Sequence, residues 1–181
     1  SFQTRHNGNY NAKVGADFYV SKKTTLGVVV SGVTNPQAQN ALSVSYLKSN
    51  NGVVDSIVQA VSREKSQWKN GSINFNLRHV FDSTGRELTV DADYLRYDAD
   101  KTQRFDNTSY TPQWALKDGD ILLGELPSAI KIYSAKIDYT HPLTKGAKIE
   151  SGVKSSFVET DNTAGYFNLV GATKLPDYDK T

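Results

Sequence analysis

Strict alternation of apolar and polar side chains constrains this chain more than any other feature, because only an extended strand points successive side chains to opposite faces. From Tyr10 to Val20 the even positions are Tyr, Ala, Val, Ala, Phe and Val, while Asn11, Lys13, Gly15, Asp17 and Tyr19 stand between them. Leu26, Val28 and Val30 resume the pattern after Ser21, Lys22 and Lys23, which reads as a hairpin. Ile73, Phe75, Leu77, His79 and Phe81 alternate with Ser72, Asn74, Asn76 and Arg78 up to an Asp82-Ser83-Thr84-Gly85 turn. Leu88, Val90, Ala92 and Tyr94 then alternate with Glu87, Thr89, Asp91 and Asp93. The last pair of runs is Tyr133 to Tyr139 and Ala147 to Phe157, divided at Pro142 to Gly146. No apolar set at helical spacing is sustained, and Val, Ile, Thr, Tyr and Phe are frequent, so the expectation is an all-β, antiparallel up-and-down meander.

The connections alternate in length: short at 21–23, 82–85 and 142–146, long at about 35–66, 99–128 and beyond 160. In a meander alternate connections leave opposite ends of the sheet, so the tight turns gather on one side and the long polar segments on the other. The first long segment has strand-like content at Leu42–Leu47 and Val53–Val61 around Asn50-Asn51-Gly52, and is expected to rise as a hairpin; the second gives no such signal. Two architectures fit. A soluble extracellular β-sandwich, serving binding or adhesion, would bury the apolar face against a second layer and predicts loops of even length. A segment of a transmembrane β-barrel, with about six spanning strands of some ten residues, predicts the asymmetry and the aromatics near strand ends (Tyr10, Phe18, Phe81, Tyr94, Tyr139, Phe157).

Composition removes other classes. With 21 basic and 19 acidic residues scattered along the length there is no basic stripe for nucleic acid. No window is apolar enough for a transmembrane helix, a test that barrels escape. Zero Cys excludes disulfides, thiolate catalysis and iron–sulfur sites, and the absence of Met and of a signal sequence suggests an excerpt of a longer polypeptide, 1–181 being one partial domain with no plug. No nucleophile elbow, zincin motif or phosphate-binding glycine loop occurs, so neither catalysis nor a cofactor is expected. His6, His79 and His141 lack metal-ligand spacing, and the acidic run Asp91, Asp93, Asp98, Asp100 lacks the glycine and distal glutamate of a calcium loop; no metal site is expected.

Under the barrel reading the polar faces line a lumen with charges of both signs, Lys13, Asp17, Asp91, Asp93, Lys136, Asp138, Lys148, Glu150 and Lys154, along with Arg78 and Glu87. These could pair across strands or contact a substrate. Ligand recognition is expected on the long loops, with Tyr46, Tyr110 and Trp114 as candidates, able to stack on a sugar or to pack the loops together.

The run Ile132-Tyr-Ser-Ala-Lys-Ile-Asp-Tyr-Thr-His-Pro-Leu143, followed by Lys145-Gly146, Lys148-Ile-Glu-Ser-Gly-Val-Lys154 and Thr160-Asp-Asn162, resembles the outer-membrane β-barrel family of Gram-negative bacteria, Bacteroidetes especially. Gly15 to Tyr19, Ser21 to Gly27, Asn74 to Leu77 and Asp91 to Tyr94 are similar in kind, so the resemblance covers nearly the whole chain, most specifically from Asp138 to Lys154. It implies an outer-membrane location with lipid as a partner, and a receptor or transporter of the TonB-dependent type that binds or admits a small-molecule or oligosaccharide ligand. The parts that would contact TonB are not among these residues. Six strands cannot close such a barrel, so two open sheet edges, liable to self-associate, are also expected.

Overall fold

The computed structural model describes residues 1–179. Ten strands form one antiparallel sheet: β1 (Phe2–Asn7), β2 (Tyr10–Ser21), β3 (Thr24–Lys48), β4 (Val54–Val80), β5 (Glu87–Tyr110), β6 (Leu116–Glu125), β7 (Ser128–Pro142), β8 (Lys148–Asn162), β9 (Gly165–Val170) and β10 (Thr173–Pro176). β1 and β2 both pair with β3, β6 and β7 both pair with β5, and β8 and β9 continue past one another along β7 and β6. The ten strands are therefore six long runs of an up-and-down meander, capped by the small β10. Among the described residues no helix is long and apolar enough to cross a membrane.

The turns at one end are the expected ones, at 22–23, 81–86 and 143–147. Gly85 (φ 95°) and Gly146 (φ 78°) carry the left-handed backbone that side chains resist. At the other end the long loops do not exist as loops. Residues 35–48 continue β3, 54–66 belong to β4, and 99–125 are the upper part of β5 together with β6, leaving only 49–53, 111–115 and 171–172 as connections. The strands are correspondingly longer than ten residues: β4 has 27 and β5 has 24. At about 3.4 Å per residue, β4 extends roughly 90 Å, against the 9–11 tilted residues that cross a bilayer.

Two prolines mark where the runs are interrupted. The Pro36 carbonyl accepts the Gly8 N–H at 3.0 Å, so its ring nitrogen, which has no hydrogen to donate, faces the gap between β1 and β2 where no ladder bond is required. Pro127 sits in the gap between β6 and β7, its carbonyl accepting the Thr163 N–H at 3.1 Å.

The sheet is a single layer. Its accessible surface is 12579 Å², where a compact 20.0 kDa protein would show about 8,700 Å². Ile57 and Ala99 are the buried apolar side chains among the described residues, while Val14, Phe18, Phe75, Val153 and Phe157 are more than half exposed. Among those residues no second layer covers the apolar face, which disposes of the sandwich. Among the described residues the outer edges of β1–β2 and of β8 do not pair with each other.

Candidate functional site

Register assigns every strand residue to a face, since directly paired residues point the same way. One face is built from rows running across the sheet: Phe18–Leu26–Leu77–Val90–Ile137–Val153, then Ala16–Val28–Phe75–Ala92–Ala135–Ser155, then Val14–Val30–Ile73–Tyr94–Tyr133–Phe157. Aromatic rings border this band on both sides. Toward the extended end Tyr133 lies 5.0 Å from Tyr94 and 6.3 Å from Phe157 between centroids. Toward the turns His79, Phe81, Tyr139 and His141 form a chain of ring contacts 4.7 to 6.1 Å apart. Eight residues separate Tyr133 from His141, about 27 Å along the strand and about 20 Å once a tilt of 35–45° is allowed for. Beyond the upper ring row the same face turns abruptly charged, with Arg96–Lys131–Glu159 and then Lys69–Asp98–Ala129–Asp161.

The opposite face brings all nine charged candidates together. One row reads Asp17–Gly27–Asn76–Asp91–Lys136–Lys154, and the next toward the turns contains Arg78, Thr89, Asp138 and Gly152. Gly27 and Gly152 are small for a reason visible across the ladder: a Cβ at either would collide with the side chain of Asn76 or Asp138 lying over it. Asp93 accepts from Asn74 Nδ2 at 2.6 Å and from Ser134 Oγ at 2.9 Å, and Asn76 Nδ2 donates to Asn74 at 3.3 Å. Lys136 pairs with Asp138 at 2.5 Å, Lys148 with Glu150 at 2.6 Å, and Arg78 grips Glu87 with two bonds of 3.0 and 2.6 Å. Lys13, opposite Ser31, and Asp17, opposite Gly27, share the face. The acidic run is divided by the alternation: Asp91 and Asp93 lie on this face, Asp98 and Asp100 on the other. Among the described residues no cluster of His, Asp and Glu is arranged to hold a metal ion.

Two of the three aromatic candidates are strand residues rather than the loop residues expected. Tyr46 is in β3, Tyr110 ends β5, and only Trp114 occupies a turn, with a left-handed backbone (φ 63°) fixed by the Thr111 and Ala115 backbone bonds. Tyr46, Ile57 and Tyr110 form one row, Ile57 is buried, and the Trp114 ring sits 5.3 Å from Tyr110. They pack the far tip of the sheet. The sequence reading missed Trp68, which the alternation of Asn74, Ser72 and Asn70 puts on the polar face of β4, half-exposed between Asn35 and Ala99. Tyr97, Asn70 and Ile130 form the adjoining row. Continuing the period two residues past Asn70 would have found it.

Outside the band two carboxylates are strongly held. At the turn end, hydrogen bonds from Thr84 and then Arg86 pull Asp82 down to about 2. At the extended end Arg104, and after it Arg63, lower Asp106.

A family model described as "Outer membrane protein beta-barrel family" matches residues 79–181, more than half of the chain. No curated protein matches it.

Proposed function

The chain belongs to the outer membrane protein beta-barrel family, and on that premise we propose that it is wall from a receptor or transporter barrel of the TonB-dependent, Bacteroidetes type, binding or admitting a hydrophilic ligand without catalysis. The sheet is antiparallel barrel wall in the cell outer membrane, in contact with its lipid. What carries the receptor reading is the polar face, a surface of amides, hydroxyls and charges of both signs on all six runs, interrupted at Leu95, Ile132 and Val158, opposite a band that only lipid would cover. As the inner wall, Lys13, Asp17, Asp91, Asp93, Lys136, Asp138, Lys148, Glu150 and Lys154 keep the passage wet, and their four positive and five negative charges leave it near neutral.

Barrels of this type carry short turns on the periplasmic side, so the extended end faces outward. Trp68 and Tyr97 then stand on the inner wall just beyond the lipid band, ringed by Asn35, Asn70 and Ser128, an apolar platform among amides suited to an oligosaccharide. The unpaired backbone along both sheet edges requires further strands in lipid.

The test is uptake, by intact cells with and without the protein, of labelled oligosaccharides of two to seven sugars. At least one should accumulate only with the protein, and Trp68→Ala should reduce it at least fivefold at equal surface amount. Equal uptake of the whole panel in both cells would overturn the reading.

A further inference from the structure

Three of the six runs break at one height. Residues 8–9 separate β1 from β2, 126–127 separate β6 from β7, and 163–164 separate β8 from β9. Register brings all three breaks to the row Gly8–Pro36–Gln67–Asp100–Pro127–Thr163 or to the rows beside it. Below this line the sheet is a panel of β2, β3, β4, β5, β7 and β8; above it, a panel of β1, β3, β4, β5, β6, β9 and β10. Of the described strands only β3, β4 and β5 run through both.

The breaks are compliant, unlike fixed kinks. At each one two residues stand opposite two, so the register is the same on either side: Asn7↔Gln37 and Tyr10↔Thr34, Thr102↔Glu125 and Ala99↔Ser128, Glu125↔Gly165 and Ser128↔Asn162. A bulge would insert an extra residue and set a permanent bend. Here nothing is inserted and the ladder is thinned instead. The prolines enforce the thinning. Opposed residues of a hydrogen-bonded antiparallel pair exchange two N–H···O bonds. Pro36 and Pro127 each accept one, from Gly8 at 3.0 Å and from Thr163 at 3.1 Å, and neither has an N–H to return the other. The outer face is hollowed beside both, by about 570 Å³ among Tyr10, Pro36, Gln67 and Asp100 and by about 330 Å³ among Asp98, Pro127, Asp161 and Thr163, so a bend at this row compresses few side chains.

We propose that this row is a hinge, and that the upper panel swings about it toward a ligand standing on Trp68 and Tyr97. The direction of the swing rests on the platform reading; the hinge itself does not. Trp68 and its row partners Asn35, Ala99 and Ser128 lie on the inner face immediately below the hinge. Immediately above it the same face carries Asn7–Gln37–Ser66–Lys101 and then Arg5–Gln39–Glu64–Gln103. Glu64 accepts from Gln103 Nε2 at 2.9 Å and pairs with Lys101 at 3.1 Å, while Arg5 donates to Gln37 at 3.2 Å. These amides and charges supply donors and acceptors for hydroxyl groups. Along a flat wall they stand beside a ring stacked on the platform; a change of angle at the hinge brings them over it. The continuous ladders of β3, β4 and β5 keep the panel attached, and its own pairing from β1 to β10 makes it move as one body.

The experiment measures distances between pairs of spin labels on the full chain in lipid vesicles, all on the inner face. Ser62→Cys with Ser156→Cys spans the hinge, Ser43→Cys with Asn168→Cys lies within the upper panel, and Asn11→Cys with Ser156→Cys within the lower. The spanning pair should give a distance distribution about twice as wide as either control. Pro36→Val with Pro127→Val restores the two missing donors and should narrow it to the width of the controls, which also report that this variant is folded. Linear oligosaccharides of two to seven sugars are then added. At least one should shorten the spanning distance by several ångström without moving the controls, and Trp68→Ala should remove the effect. A spanning distribution as narrow as the controls, or one that the two valines leave wide, overturns the hinge. A wide distribution that no sugar shortens overturns the swing where cells take the same sugars up; where they take up none, it overturns the oligosaccharide reading together with the swing that rests on it.

Discussion

The half of the sheet near the tight turns and the half beyond the Tyr94–Tyr133–Phe157 row share one backbone ladder, yet they obey different rules. In the lower half one face is apolar at most register positions and the other is predominantly polar. In the upper half the former apolar face carries Lys69, Arg96, Asp98, Lys131 and Glu159, while the former polar face gains Trp68, Tyr97 and Ile130. The ladder continues because backbone hydrogen bonding does not depend on which side chain is present. The side-chain pattern changes because above the ring row both faces meet water. The difference locates the membrane on the protein.

The strongest way to break this comparison is to place the same charge at both levels of β5. Val90→Arg, in the middle of the band, should cost about 2 to 4 kcal/mol in lipid vesicles, whereas Thr108→Arg, on the same face of the same strand, should stay within about 0.5 kcal/mol. Denaturant titration of both variants in vesicles measures this, and equal costs would erase the distinction. A second pair contrasts two glycines at the two levels of the sheet. Gly152→Ala would drive a methyl into the Asp138 side chain and should cost about 1 to 2 kcal/mol. Gly71→Ala, where the added methyl meets nothing within 4 Å, should instead stabilise by about 0.4 to 1 kcal/mol through the unfolded chain.

In the upper half, Asp106→Asn removes the carboxylate shared by Arg63 and Arg104. These ion pairs are largely solvated, so the loss should be at most about 1 kcal/mol and should shrink further in high salt. The smallest effect belongs to the 82–85 turn. Because Asp82 is lowered to about 2 from 3.8, its contribution is complete above pH 4 and declines as pH falls through 2. Thermal unfolding between pH 4 and 2 should therefore flatten slightly in Asp82→Asn, and an unchanged slope would show that the turn contributes nothing through this group.

The same physics explains what the sequence made legible. Where one face must be apolar, a period of two is imposed, and the strands around Tyr10–Val20, Ser72–Phe81, Glu87–Tyr94, Tyr133–Tyr139 and Ala147–Phe157 could be read with their faces, including all nine charges of the polar wall. The tight turns were equally plain, because Asp82-Ser-Thr-Gly and Lys145-Gly146 have turn chemistry. Past Tyr97 no such demand exists. Residues 99–110 and 116–125 read as Asp, Asn, Thr and Gly without alternation and so resembled loop, although they form β5 and β6. Tyr46 and Tyr110 were consequently expected on loops, and Trp68 fell between the segment taken for a loop, about 35–66, and the strand read from Ser72.

The central claim is that one face of the sheet meets lipid between the two aromatic rows and water beyond them. Since the chain has no Cys, single-cysteine variants at every position of β5, carrying a polarity-sensitive fluorophore in reconstituted bilayers, test it directly. The account predicts apolar emission at 88, 90, 92 and 94, polar emission at 89, 91 and 93, and polar emission on the former lipid face from 96 onward. Apolar emission at 89, 91 and 93, or alternation persisting unchanged to 110, would contradict it.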